Sequence, residues 1–203
     1  MPANASPATD SALPLCHVRL DPAGPGFACL NPLLRTGVDV AVPGPLSVRA
    51  LLCTVLELAP EFVERRVATL FLNNHPVDDL DATQVRPGDT MALAAAMPGI
   101  AGITMRRNSP VKALRADISC SQTAADSQPG QAGAVTVKLF NFIALEAGPG
   151  LLSQGVVAPA RRVAETLAGL GSGLLAVELD GTPSNAAALE RLEGEIRLVA
   201  AMG

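Results

Sequence analysis

Residues Leu70 to Gly99 read LFLNNHPVDDLDATQVRPGDTMALAAAMPG, and residues Ala176 to Gly203 read AVELDGTPSNAAALERLEGEIRLVAAMG. Each runs a β-type stretch into a polar turn with a Pro. A loop and a Gly-acid pair follow (Gly88-Asp89, Gly194-Glu195), then a second β-type stretch ending in Ala-Ala-Met. Self-similarity of this kind is the mark of an internal duplication and sets the domain plan before any motif is considered.

Outward from these stretches the likeness continues. Ahead of the first lie Leu15 to Leu20 and Val38 to Val42, both alternating as half-buried strands do. Ser47 stands at an N-cap position, and Val48, Leu51, Leu52, Val55 and Leu56 then form one apolar helical stripe that Pro60 ends. Ahead of the second lie strands at Val135 to Phe140 and Gly155 to Ala158. Pro159 there opens a helix whose stripe is Ala160, Val163, Ala164 and Leu167. Asn73-Asn74 and Asp180-Gly181 are turn pairs that tolerate positive φ. Gly24-Pro25-Gly26 and Gly148-Pro149-Gly150 read as tight turns, and Gly169 to Gly173 as a helix C-cap and turn.

Composition narrows the function classes. With 49% hydrophobic residues the chain of 203 is rich enough for packed cores, but five Phe and no Trp or Tyr make those cores aliphatic. The same lack of rings disfavours base-stacking nucleic-acid platforms. Net charge is −4, and only the segment 105–133 is locally basic, so a polyanion partner is not expected. Cys16, Cys29, Cys53 and Cys120 form no C-x-x-C pair, which argues against zinc and for reduced thiols, with Cys53 on the apolar face of the first helix. No secretory signal and no long apolar run is present, so no membrane contact and a cytoplasmic location are expected.

The order strand, strand, helix, strand, loop or short strand, strand resembles the β-grasp of ubiquitin-like proteins. Within that group the LNNHPV and LDGTPS hairpins, the Gly-acid turns and the apolar last strands are similar to the small sulfur carriers of thiamine and molybdopterin biosynthesis. The resemblance implies an α+β protein of two β-grasp domains, each a mixed sheet with one helix packed across it. Its plan is a flexible tail at 1–14, a first domain at 15–104, a linker at 105–133 with an edge strand at Val111 to Ile118, and a second domain at 134–203. In that family an adenylating partner enzyme activates a C-terminal Gly-Gly. The resemblance carries that role to Met202 and Gly203, although this chain ends in Met-Gly and its first copy runs on past Gly102.

Other candidate groups read as structural. Asp78, Asp79 and Asp81 lack the spacing of a calcium loop and form a solvated acidic loop or a docking patch. His17 and His75 have no orienting partner in sequence, and Arg106, Arg107, Lys112 and Arg115 read as a solubilising stretch. With no nucleophile, base and orienter at suggestive spacing, no enzyme, metal or cofactor is expected. The sequence therefore predicts a non-catalytic protein-binding module, with carrier activation at Gly203 as the alternative.

Overall fold

In the computed structural model, residues 13–96, 99–107, 109–111 and 131–203 are described. The tail expected at 1–14 lies outside this set except for Leu13 and Pro14, as does the strand expected at Val111 to Ile118 beyond Val111. β1 (Leu15–Leu20) leads through a 3-10 turn at Gly26–Leu30 into α1 (Asn31–Thr36) and β2 (Val38–Val42). β3 (Leu46–Ser47) precedes α2 (Val48–Ala50), which continues as a π-helical turn over Leu51–Val55, and α3 (Pro60–Arg66) follows. Next come β4 (Thr69–Leu72), β5 (His75–Pro76), β6 (Gln84–Val85), β7 (Thr90–Ala94) and α4 (Gly99–Met105). The second repeat is β8 (Gly133–Leu139), α5 (Asn141–Gln154), β9 (Val156–Pro159) and α6 (Ala160–Ala168). It ends with β10 (Leu174–Leu179), β11 (Thr182–Ser184), α7 (Ala186–Glu190) and β12 (Glu195–Met202).

The protein is α+β with a mixed sheet. Ten strands form one sheet in the order β11-β10-β1-β12-β9-β2-β8-β7-β4-β5, and β3 pairs with β6 in a separate ribbon. The two repeats meet at β2 and β9 through the single register pair Asp39↔Val157. Beyond that junction the first strands have changed places. β1 lies between β10 and β12, antiparallel to the former and parallel to the latter. β8 lies between β2 and β7 in the other half, antiparallel to β2 and parallel to β7. Each central parallel pair therefore joins the first strand of one repeat to the last strand of the other. The sequence units 15–104 and 134–203 each have their first strand in the sheet of their counterpart.

Local signals explain why these elements form. Ser47 caps α2, its Oγ accepting the Ala50 N–H at 3.1 Å. Asn73 and Asn74 take φ of 50° and 68°, and Asp180 and Gly181 take 50° and 76°. These are the paired positive angles of two-residue hairpins, which close β4 on β5 and β10 on β11. The last helix residues expected before Pro60 end sooner, at Leu56, and Pro60 opens α3 instead. Its missing N–H is one that a first turn leaves unbonded anyway. Gly148-Pro149-Gly150 is likewise no turn but the middle of α5. There Ile143, Ala144, Ala147, Leu151 and Leu152 are all buried, and that burial outweighs the hydrogen bond Pro149 removes.

The structure thus has two more long-range helical connections than the single helix per sheet that was expected. α1 and α5 exist because each first strand must cross to the other half before its second strand begins, and a parallel crossover is usually helical. The core is continuous across both halves, from Cys16, Val18 and Leu20 of β1 to Ile196, Leu198 and Ala200 of β12. Full burial of Val18 and Leu20 contributes about 1.5–3 kcal/mol each, and all of it falls in the half to which β1 does not belong by sequence.

Fragments 1–122 and 123–203 made separately are expected to show no cooperative thermal transition by circular dichroism, and equimolar mixing is expected to restore one. Two fragments that each melt as the intact chain does would contradict the exchange.

Candidate functional site

The crossover helices build a cleft of about 1030 Å³. α1 is turned sharply into β2 by Gly37, whose φ of 114° excludes a side chain. A Cβ there would also approach Thr136 Cγ2 to 2.8 Å. Gly148 lets α1 close on α5, since a Cβ at that position would stand 2.6 Å from Leu34 Cδ1. At the other end Asn141 opens α5 with φ of 44°, and its Oδ1 accepts the Ala95 N–H at 2.9 Å. The Phe140 N–H donates to Leu93 O at 2.9 Å, so the start of α5 is fastened to the end of β7.

Phe71 of β4 and Ala92 and Ala94 of β7 line the cleft from the sheet. Phe140, Phe142, Ala144 and Leu145 line it from α5, and Asn31 and Arg35 from α1, with Asn74 and Asn141 at the hairpin and helix ends. Three of the five phenylalanines in the chain are gathered here. Phe142 is 69% exposed and Leu145 47%, an unusual placement for large apolar side chains on successive turns of one helix. Among the described residues of the lining Arg35 is the charged one. The described lining is apolar for the most part, with amide side chains and one guanidinium at its margins.

Comparison with known proteins returns no matching family model, no matching curated protein and no matching solved structure. The site therefore rests on its own geometry.

The residues singled out from sequence lie elsewhere and are occupied structurally. Asp79 Oδ1 accepts the backbone N–H groups of Asp81 and Ala82, both at 2.9 Å. Those two bonds, Ala82 first, hold its carboxyl below the usual range. Asp81 accepts Arg49 Nε at 2.7 Å, and the same guanidinium donates to Glu64 Oε1 at 2.8 Å. The hydrogen bond from Arg49 likewise lowers the Glu64 carboxyl. Asp78 is half-buried next to Val77. No three-residue metal cluster is present among the described residues.

Met202 ends β12 in register with Leu20, and the Gly203 N–H donates to Leu20 O at 2.9 Å. A Cβ on Gly203 would collide with Leu175 Cδ1. Met202 and Gly203 are both exposed, with the Gly203 backbone bonded to β1. His17 is exposed on β1 in register with Glu178, and His75 is exposed on β5. Burial, with a smaller contribution from Asp180, pushes the Cys16 thiol up to about 11, which keeps it protonated and inert. Cys53, expected to be buried on the apolar face of the first helix, is half-buried and packs against the core.

Arg107 overturns its reading as part of a solubilising stretch. It is buried, with Nε donating to Val67 O at 3.1 Å and Nη2 to Val63 O at 3.0 Å. Glu64 Oε2 stands 3.5 Å from the same guanidinium. Its burial follows from the unbonded carbonyls at the end of α3, which a cation satisfies. Lys112 and Arg115 lie outside the described residues.

The cleft itself was not visible in sequence, because Phe71 and Phe140 are distant in the chain and are brought together only by the β7/β8 pairing. The signal available was the rarity of phenylalanine together with the run Phe140 to Leu145.

Replacing Arg107 with Met strands two buried carbonyls and is expected to cost about 2–3 kcal/mol, or about 4–12 °C in Tm for a chain of this size. A thermal melt unchanged from the parent would contradict that role.

Proposed function

We propose that the protein is a non-catalytic binding module built from two β-grasp units with exchanged first strands, and that it captures a partner polypeptide in the phenylalanine cleft. The observation that carries this reading is the exposed pair Phe142 and Leu145 beside the half-buried Phe71 and Phe140. Aromatic side chains gathered around a concave apolar patch are the usual energetic centre of a protein interface.

The sheet edges support the cleft as the docking place. β5 is two residues long and contains Pro76, and β11 is three residues long and contains Pro183. Short edges carrying proline resist addition of a further strand, so main-chain pairing with a partner is disfavoured at both ends. The free thiols of Cys16, Cys29 and Cys53 support a reducing compartment, and we assign the protein to the cytoplasm on that ground. No helix among the described residues is long and apolar enough to cross a membrane.

The double variant Phe142→Asp, Leu145→Asp replaces two exposed side chains and is expected to keep the parent melting temperature. Its capture of partners after cross-linking in the native host is expected to fall by at least about tenfold. Equal capture by parent and variant would refute the reading.

A further inference from the structure

Asn31 and Arg35 are four residues apart on α1 and so share one face of that helix. Both line the cleft, Arg35 is exposed, and neither side chain makes a hydrogen bond or ion pair with any described residue. A second cation lies on the neighbouring strand, outside the cleft lining itself. Lys138 of β8 is in register with Ala92 of the cleft floor, so the two side chains share a face of the sheet. The Lys138 chain also packs near Gly37, where α1 ends. It too has no ion-pair partner among the described residues. The protein as a whole carries net charge −4, yet no acid among the described residues lines this cleft. Glu146, the acid nearest in sequence to Leu145, is engaged by Arg66 at 2.9 Å.

We propose that the partner segment is an acidic amphipathic peptide, in which bulky aliphatic or aromatic residues fill the phenylalanine cleft and an adjacent Asp or Glu side chain is received by Arg35, Asn31 and Lys138. This inference rests on the protein-binding reading above and adds the chemistry of the partner. A guanidinium receives a carboxylate through two parallel N–H bonds. An amide N–H₂ on the same helix face satisfies a further lone pair, and the ammonium adds attraction without demanding geometry. Apolar contacts set the affinity, while the paired charge selects among apolar segments and fixes their direction in the cleft.

Random dodecapeptides displayed on phage and selected on the full chain test the proposal. The expected winners carry Leu, Phe or Met next to Asp or Glu. A synthetic winner is then compared by fluorescence anisotropy with its copy bearing Gln in place of each acid. The acidic form is expected to bind the parent about tenfold more tightly. Arg35→Gln should cut that preference severalfold while the Gln peptide still binds measurably, an outcome that a misfolded variant cannot give. Four results would overturn the proposal: winners without acidic residues, equal binding of the two peptides, an acid preference untouched by Arg35→Gln, or no selectable peptide at all. A concentration-dependent dimer in sedimentation that is lost in Phe142→Asp, Leu145→Asp would also overturn it, assigning the cleft to a second copy. The broader binding reading fails separately, on equal cellular capture by parent and double variant.

Discussion

The structure depends on one constraint: each half of the ten-stranded sheet is completed by the first strand of the other repeat. A central strand contributes two hydrogen-bonded ladders and a buried row of side chains, so its loss opens a sheet at its middle. β1 supplies Cys16, Val18 and Leu20 to the half made of β9 to β12, and β8 supplies Val135, Val137 and Leu139 to the half made of β2, β4, β5 and β7. Halves of this size are marginal as isolated domains. Mutual completion turns two such halves into one core.

The exchange also determines where the cleft of the proposed binding site is placed. A first strand joined to its second by a tight hairpin would leave no connection to form a wall. Because each chain segment must instead cross to the other half, α1 and α5 exist, and the cleft forms where they meet the β4 and β7 surface. Gly37, held at positive φ beside Thr136 and Lys138, and Gly148, where a Cβ would press on Leu34, fit this close packing. The cleft surface thus arises from the way the two repeats are interlocked.

Much of the local structure was legible in the sequence. The hairpins at Asn73-Asn74 and Asp180-Gly181, the cap at Ser47 and the buried stripe Ala160, Val163, Ala164 and Leu167 depend on residues close in the chain, and all are found. The exchange was not legible, because alternation in LCHVRL tells which side chains face a core and says nothing about which strands lie alongside. α5 escaped for a different reason. NFIALEAGPGLLSQ is apolar on most sides and interrupted by Gly and Pro, so it shows neither the stripe of a surface helix nor the composition of a strand. Arg107 and the phenylalanine cleft depend on contacts made across the fold, and residue type alone placed the first of them in solvent.

Backbone NOESY spectra of the isotopically labelled protein test the exchange most directly. Cross-strand contacts are predicted from Val18 to Val177 and Ala200, and from Val137 to Val38 and Met91, as the registers require. Contacts from Val18 to strands Val38–Val42 and Thr90–Ala94 in their place would show each repeat closing on its own first strand and would contradict the account.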